Sequence, residues 1–434
     1  MPRDGVNAAE WIPFRWPAEW PAPALEVLKG TPINCLVVNR REGFEAVLEG
    51  ARNAGLAVAG LEGEAPAGVT AIRCAERSKL DWGAPEPVLA VKDAVWPGIQ
   101  PGSGGGAGPT GAPWVDSNGW FIQLARVRAP AKTLWMVVEP PAMSLFGRAA
   151  SYELAVADAE TYGARWVVAL DERLRAGLVA GNREALDTWQ KIADALAFFQ
   201  ARRHWAGYRL VSVAAVISDF LGPNEELAGE ILNLAARRPL PVRIIEKAQA
   251  LAATFEGLKA VIYPDQEPPP EELRKKLLGF VRGGGLLVAN HKWGPAEGEV
   301  SEGDTYRRFE VRKLGRGRLA VATEEMQDPY AVALDAHLLM SRRHDPLRFF
   351  NAASMNSHYT VAPDDRRALL QILNYSLRPA GHPVAVSFPA RYRGARLWSF
   401  EGQKAAPLET LPQERGVEIH LPGLGAYAAV ELEA

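Results

Sequence analysis

The chain has 434 residues, of which 48% are hydrophobic and 23% charged, the proportions of an ordinary folded globular protein. Its 49 basic and 51 acidic side chains leave a net charge of −2, so nothing in the charge balance points to nucleic acid or an anionic membrane as a partner. The two cysteines, Cys35 and Cys74, show no metal-ligand spacing and exclude a disulfide framework.

No apolar run approaches the roughly 20 residues that span a bilayer. The N-terminal residues also lack the apolar core of a secretion signal. We therefore expect no membrane partner, and either a cytoplasmic protein or one whose leader was removed.

The first 206 residues alternate strand and helix. The first thirty, rich in proline and tryptophan, are expected to be irregular and to wrap over the adjoining domain. Short connections between strands and helices are typical of βαβ units and a parallel sheet. Six apolar runs predict strands, at Ile33–Asn39, Leu56–Leu61, Val69–Cys74, Val88–Asp93, Leu134–Glu139 and Trp166–Asp171. Because six strands are fewer than eight, residues 1–206 are predicted to form an abbreviated or distorted TIM-like (β/α) barrel.

Residues 207–304 repeat the alternation on a smaller scale. Strands are predicted near Leu210–Ile217, Val242–Ile245, Ala260–Tyr263 and Leu286–Ala289, and Asn224 is expected to cap the helix after the first of them. This pattern predicts a flavodoxin-like, doubly wound α/β domain.

From about residue 306 the apolar period changes to two, as in Val384, Val386 and Phe388. Residues 305–434 are therefore predicted to form an antiparallel β-sandwich. The pattern at Asp364–Tyr375 fits either a helix or a long strand. The complete fold class is a multidomain α/β protein with a C-terminal β-sandwich.

Three of the predicted strands end in an acid: Asp93, Glu139 and Asp171. The carboxyl ends of parallel barrel strands are where α/β barrels place their chemistry. Hydrolysis of a glycosidic bond needs two carboxyl groups, one of which holds a proton in apolar surroundings. Glu139 is the candidate acid/base, and Asp171 or Asp93 the candidate nucleophile or water-activating base. The alternative is that these acids cap helices or pair with nearby lysine or arginine.

The segment from Trp114 to Trp120 mixes flat apolar rings with Asp116 and Asn118, residue types that stack on sugar faces and bond hydroxyl groups. Together with Lys92 and Trp96 these residues form the predicted carbohydrate-binding set. The alternative is that Asn118 only caps the helix that comes after it.

No cofactor or metal is expected. The stretch Gly106–Gly111 matches G-x-G-x-x-G, but Pro109 interrupts it and no strand immediately precedes it. The seven histidines show no metal-binding spacing, and the G-x-S-x-G elbow of many serine hydrolases is absent. The arginine pairs at 237–238, 342–343 and 366–367 are expected on solvated faces or in interdomain salt bridges.

The order of these units resembles that of the trimer-forming bacterial β-galactosidases of glycoside hydrolase family 42. The residues that carry the resemblance are Asn224–Pro239, Leu258–Pro264 and Phe280–Val288, in the middle unit. Such middle domains look like class I glutamine amidotransferases that have lost their chemistry, and no cysteine comes after Cys74 here. The resemblance implies a carbohydrate substrate and self-association through the middle domain.

Two departures from the family pattern favour a second hypothesis. The galactosidases carry an Asn-Glu pair, whereas Val138 precedes Glu139 here, and no second glutamate ends a later strand of the predicted barrel. The alternative to a glycoside hydrolase is therefore a non-catalytic carbohydrate-binding or assembly protein with a degenerate barrel.

Overall fold

A computed structural model of the chain describes residues 8–39, 44–99, 114–142, 148–306, 308–352, 354–378, 382–400 and 405–434, and for 301–306 the backbone alone. The Gly106–Gly111 stretch lies outside these ranges. No helix among the described residues is long and apolar enough to cross a membrane.

The described residues of the first part of the chain form ten short strands and five α-helices. The strands are β1 (Pro13–Arg15), β2 (Cys35–Val37), β3 (Ala57–Leu61), β4 (Thr70–Ile72), β5 (Cys74–Ala75), β6 (Val88–Val91), β7 (Gly98–Ile99), β8 (Val115–Asp116), β9 (Thr133–Met136) and β10 (Arg165–Trp166). The helices are α1 (Glu45–Asn53), α2 (Gly119–Arg128), α3 (Arg148–Thr161), α4 (Glu172–Val179) and α5 (Arg183–Ala201).

Parallel pairing carries all of these strands except β7 and β8 round a closed ring, while β7 and β8 pair with each other antiparallel. Two four-stranded sheets have the orders β1-β2-β3-β4 and β10-β9-β6-β5, and Arg73 alone separates β4 from β5. At the other edge, Phe14 bridges to Val168 in parallel, with Arg15 N donating to Val168 O at 2.8 Å. Counting β4 and β5 as one run gives seven strands. Pro13–Arg15 therefore belongs to the ring, which corrects the expectation that the N-terminal segment is irregular throughout.

A seven-stranded sheet comes next in the chain, and β11 (Arg209–Leu210) belongs to a different sheet. The order of the seven-stranded sheet is β13-β12-β14-β15-β18-β17-β16. The first five strands in this order pair in parallel, and β17 and β16 continue the sheet antiparallel. The strands are β12 (Ala214–Ser218), β13 (Val242–Glu246), β14 (Ala260–Tyr263), β15 (Leu286–Ala289), β16 (Glu299–Tyr306), β17 (Phe309–Leu314) and β18 (Gly317–Ala322), and the helices α6 (Pro223–Arg237), α7 (Glu271–Arg282) and α8 (Pro329–Met340). Because β17 and β18 complete this sheet, it continues past the boundary predicted at residue 304.

The C-terminal part is antiparallel. Its strands are β19 (Arg348–Phe350), β20 (Met355–Val361), β21 (Arg367–Asn374), β22 (Val384–Phe388), β23 (Gly394–Trp398), β24 (Ala406–Leu408), β25 (Leu411–Pro412), β26 (Val417–Leu421) and β27 (Tyr427–Glu433). Sheets of order β11-β20-β21-β27-β23-β24 and β19-β22-β26-β25 share one apolar core that includes Val386, Ile419 and Val430. The ambiguous segment near residue 370 is a strand, buried on both faces. The prediction of a mixed α/β chain with parallel sheets and an antiparallel C-terminal part is confirmed.

A buried carboxylate joins the ring to the C-terminal sheet. Asp158, on α3, is fully buried and accepts hydrogen bonds from Ser117 Oγ (2.9 Å), Asn118 N (3.0 Å), Asn118 Nδ2 (2.8 Å) and Tyr375 Oη (2.6 Å). Burial raises the pKa of Asp158, while each of these four donors favours the ionised form. Tyr375 lies just after β21, so this cluster connects segments that are more than 200 residues apart in sequence.

Replacing Asp158 by Ala should destabilise the protein by about 3–5 kcal/mol, because the buried donors of Ser117 and Asn118 would lose their shared acceptor. Tyr375→Phe removes one donor only and should cost about 1–2 kcal/mol. Urea unfolding monitored by tryptophan fluorescence measures both changes. The exposed Asp187→Ala on α5 is the control and should change stability by less than about 0.5 kcal/mol. Equal effects of Asp158→Ala and Asp187→Ala would contradict this account.

Candidate active site

The parallel ring directs the carboxyl ends of its strands to one rim. All three predicted catalytic acids lie just beyond such ends: Asp93 after β6, Glu139 after β9 and Asp171 after β10. Each of the three carboxylates also has a guanidinium partner, so the chemistry of the rim depends on what each pairing leaves accessible.

Glu139 lies on the surface. Its side chain is 57% exposed, and its Oε1 accepts a hydrogen bond from Arg15 Nη1 at 2.5 Å. Arg15 also pairs with Glu64 at 3.3 Å. An exposed carboxylate beside a guanidinium lacks the apolar surroundings that hold a proton on a catalytic acid.

Asp171 has a structural task at the start of α4. Its Oδ1 accepts hydrogen bonds from Arg173 N and Leu174 N, both at 3.1 Å, which caps the helix. Its Oδ2 accepts a hydrogen bond from Tyr152 Oη at 2.9 Å and lies 3.6 Å from Arg148 Nε. Asp171 and Glu139 line one open cavity of about 580 Å³, so the structure brings these two predicted residues to the same depression.

Asp93 faces a different cavity. Its Oδ1 accepts from Arg77 N at 2.8 Å and its Oδ2 from Arg77 Nε at 3.3 Å, which orients the carboxylate while leaving its side chain 36% exposed. Asp116, from the predicted binding set, lines the same cavity. The structure therefore separates Asp93 from the cavity of Glu139 and Asp171.

The other predicted binding residues are dispersed. Lys92 is exposed and pairs with Glu76 at 3.5 Å. Trp96 packs edge-on against Tyr152 and Trp166, with ring centroids 5.6 and 5.4 Å away, and donates from Nε1 to Ser151 Oγ at 3.0 Å.

Asn118 is buried and binds the protein itself. Besides bonding to Asp158, it accepts from Val95 N at 3.0 Å and donates to Val95 O at 2.9 Å. It occupies the N-cap position of α2 without bonding to the helix through its side chain. Trp114 is half-buried just before β8 and belongs to neither cavity's lining. Of this set, Asp116 alone lines the cavity that contains Asp93.

The cavity beside Asp93 has a volume of about 450 Å³, within the range of small-ligand sites. One wall comes from the ring and the loop before α2, the other from the start of α6. We call it the acidic cleft; its charged and aromatic lining residues are Arg77, Asp93, Asp116, Trp120, Glu225, Glu226 and Glu230. Five of these seven are acids. The Arg77 guanidinium carbon lies 5.6 Å from the centroid of the Trp120 ring.

Burial raises the pKa of two glutamates of α6 that line the cleft, Glu225 and Glu230. Burial raises the pKa of Glu225, and the charge of Asp93 raises it further, whereas Arg77 and Arg128 oppose the shift. Burial likewise raises the pKa of Glu230, opposed by a hydrogen bond from Asn233 and reinforced by the charge of Asp116. Glu225 and Glu230 thus retain a proton to a higher pH than an ordinary carboxyl group, and each is influenced by the charge of an aspartate in the cleft, Asp93 and Asp116 respectively.

Sequence reasoning missed these glutamates because the resemblance assigns Asn224–Pro239 only to an assembly domain. A signal was present in the sequence. Glu226 and Glu230 are four residues apart on one helix, where like charges are mutually destabilising. The helix dipole offsets this repulsion for Glu226, which lies in the first turn, but not for Glu230 one turn later. Among the described residues, no group of three or more His, Cys, Asp or Glu side chains is arranged to hold a metal ion.

Solved structures that are similar to this chain include an α-L-fucosidase and two β-galactosidases. An α-L-fucosidase from Paenibacillus thiaminolyticus matches with a TM-score of 0.52 and 12% identity, over 94% of this chain and 79% of that one. A glycoside hydrolase family 42 β-galactosidase from G. stearothermophilus matches with a TM-score of 0.50 and 13% identity, over 90% and 66%. A β-galactosidase from Rahnella sp. R3 matches with a TM-score of 0.50 and 12% identity, over 90% and 65%.

The predicted resemblance to the β-galactosidases of family 42 is confirmed at the level of the fold, which is all that identities of 12–13% show. This chain spans about two thirds of the length of those two galactosidases. No family model matches the sequence, and no curated protein matches it either.

The raised pKa values of Glu225 and Glu230 predict a specific pH dependence of stability. Their ordinary pKa is 4.5, so the stability they contribute is full below about pH 4.5 and is lost as the pH rises through their raised values in the folded protein. Glutamine stays neutral throughout. The free energy of unfolding of Glu225→Gln and Glu230→Gln, relative to the wild type, should therefore increase from pH 4 to pH 8.

Urea unfolding of the wild type and both variants at several pH values measures this difference. The exposed Glu49→Gln on α1 is the matched control, and its difference from the wild type should stay constant. A flat profile for both cleft variants would show that neither glutamate has a raised pKa.

Proposed function

We propose that this protein hydrolyses an O-glycosidic bond in the acidic cleft. The observation that supports this most strongly is that Asp93 and Glu225 line the same cleft, where burial raises the pKa of Glu225 and Arg77 holds Asp93 with two hydrogen bonds. Glycosidases use two carboxyl groups, one of which keeps its proton because of its surroundings. The glycoside hydrolases with similar folds support carbohydrate as the substrate class.

In this proposal Glu225 is the general acid. Burial against the ring keeps its carboxyl group protonated at higher pH, so that it protonates the glycosidic oxygen as the bond to the anomeric carbon breaks. Asp93 is the nucleophile, or the base that activates water, held in place by two hydrogen bonds from Arg77. Which role it takes depends on its separation from the acid, about 5–5.5 Å for retention and 6.5–9.5 Å for inversion.

Asp116 and Glu230 would bind sugar hydroxyl groups farther along the cleft, because carboxylates accept hydrogen bonds from hydroxyls. Trp120 would provide an apolar surface against a pyranose face. The competing assignment within the same activity places the acid at Glu139 and its partner at Asp171, in the cavity of about 580 Å³.

Single substitutions distinguish these assignments on a panel of glycosides that includes α-L-fucosides and β-D-galactosides. Asp93→Asn should lower kcat/KM by about 100-fold or more on both nitrophenyl and alkyl glycosides. Glu225→Gln should lower it mainly on alkyl glycosides, because a nitrophenolate leaves without much help from an acid. Glu139→Gln should retain activity. Loss in Glu139→Gln, with activity kept in Asp93→Asn, would move the reaction to the other cavity.

A non-catalytic carbohydrate-binding protein is the second candidate. It is supported by the arginine partner at every predicted acid, namely Arg77 for Asp93, Arg15 for Glu139 and Arg148 for Asp171. On this view the arginines neutralise the three predicted catalytic carboxylates, and the acidic cleft binds a sugar without cleaving it. Calorimetric binding of a saccharide, weakened in Asp116→Ala, without turnover of any glycoside in the panel, would favour binding over hydrolysis.

We also propose the finer architecture: a TIM-like barrel abbreviated to seven strands (1–206), then a flavodoxin-like unit (207–304 by sequence, with β17 and β18 added to its sheet), and a β-sandwich. The strand order β13-β12-β14-β15-β18 is that of flavodoxin-like sheets. By resemblance to the trimer-forming galactosidases, the middle unit would mediate self-association.

Light scattering coupled to size-exclusion chromatography tests the self-association. We expect a mass of at least twice 47.2 kDa that persists on dilution to micromolar concentration. A monomer at all concentrations would contradict the proposed role of the middle unit while leaving the chemistry of the acidic cleft untouched.

A further inference from the structure

A charged cavity separate from the acidic cleft is lined entirely by residues between 234 and 355, outside the ring. It is a small pocket of about 210 Å³ between the end of α6, α8 and the segment leading into β19. We call it the arginine pocket, because Arg237, Arg238, Arg342 and Arg348 all line it. Phe349 and Phe350 form an apolar edge of the pocket, which we call the apolar lip, and Phe350 is 49% exposed.

The charge of this pocket is strongly positive. Among the described residues that line it, Asp345 is the single acid, against four arginines. That carboxylate is already engaged, with His337 Nε2 at 2.7 Å and Arg348 Nε at 3.4 Å. Burial lowers the pKa of Arg237 and Arg238, which reflects the cost of removing these guanidinium groups from water. A bound anion would offset that cost.

Two buried polar atoms on the lining residues have no hydrogen-bond partner. They are Ser354 Oγ and His337 Nδ1, on side chains that are more than nine-tenths buried. Ser354 also has a φ of 54°, in the left-handed region that costs a serine free energy. A buried hydroxyl without a partner destabilises the folded protein, and a ligand oxygen that accepts a hydrogen bond from Ser354 Oγ would remove that cost.

A purely structural role explains only part of this arrangement. Arg237 and Arg238 lie at the carboxyl end of α6, where cations interact favourably with the helix dipole. Arg342 and Arg348 come from a separate segment about 100 residues later, where Arg342 lies just after the end of α8 and Arg348 pairs with Asp345. Four guanidinium groups from two segments converge on one concave surface, against the mutual repulsion of their charges.

We propose that the arginine pocket binds a small tetrahedral oxyanion, phosphate or sulfate, either free or as an ester. Guanidinium groups match the oxygens of such anions with paired, charge-assisted hydrogen bonds, and several arginines recognise a doubly charged group better than a single carboxylate. The apolar lip of Phe349 and Phe350 would contact the organic part of an ester. This proposal does not depend on glycoside hydrolysis in the acidic cleft.

The test is thermal unfolding and isothermal titration calorimetry of the full chain at constant ionic strength, adjusted with sodium chloride. Inorganic phosphate, sulfate and acetate are compared, and then glucose 6-phosphate with glucose. Phosphate or sulfate should raise Tm in a saturable way while acetate does so weakly, because a ligand that binds the folded state stabilises it. Tighter binding of glucose 6-phosphate than of inorganic phosphate would identify an ester as the ligand class.

The variants are Arg342→Gln and Arg348→Gln. Both side chains are exposed, so their replacement should leave the fold intact. Arg343→Gln, which is exposed but does not line the pocket, is the matched control. Either pocket variant should weaken phosphate binding at least tenfold, and the control should bind like the wild type. Circular dichroism and the Tm without anion verify that each variant is folded. Equal Tm values in phosphate and chloride, or phosphate binding that is unchanged in both pocket variants, would overturn the proposal.

Discussion

The fold depends on one carboxylate that is removed from water and surrounded by donors. Asp158 receives hydrogen bonds from the loop before α2 and from Tyr375 after β21, so that its burial requires the ring and the C-terminal sheet to be in place together. Without those donors a buried charge costs several kcal/mol. The cluster therefore links the packing of the two parts, and it also positions Asn118, close in sequence to Asp116 of the acidic cleft.

Charge pairing divides the rim of the ring into two kinds of surface. Beside Glu139 and Asp171, guanidinium groups and a helix start occupy the carboxylates. In the acidic cleft, five acids face one lining arginine, Arg77, and two of the acids are partly withdrawn from water by the packing of α6 against the ring. Unequal environments of this kind let neighbouring carboxyl groups differ in protonation at one pH, which is what acid–base chemistry on a glycoside requires. The cleft exists only because two units of the chain meet there.

Much of the secondary structure was predictable because it depends on local patterns. The long helix after Asn182 begins where its cap residue predicts, with Asn182 Oδ1 accepting from Ala185 N at 3.2 Å. Apolar runs correctly located the strands near residues 88, 134 and 166, although the observed strands are shorter than the runs. The strand at Pro13 was missed, since three residues between prolines and tryptophans carry no period. Its ladder partners, Cys35 to Val37 and Val168, come from elsewhere in the chain.

The sequence by itself determined the alternation of strands and helices, the alternating burial of Val384 to Phe388 and the acids at strand ends, because each depends on neighbours within a few positions. Tertiary structure decided what those residues do. Asn224 was expected to cap a helix as Asn182 does, yet its Oδ1 accepts from Gln266 N at 3.0 Å, and the helix begins after Gly222. Likewise, whether a strand-end acid meets an arginine or an open cleft depends on side chains that approach from distant segments. Their position is set by packing, which no local period encodes.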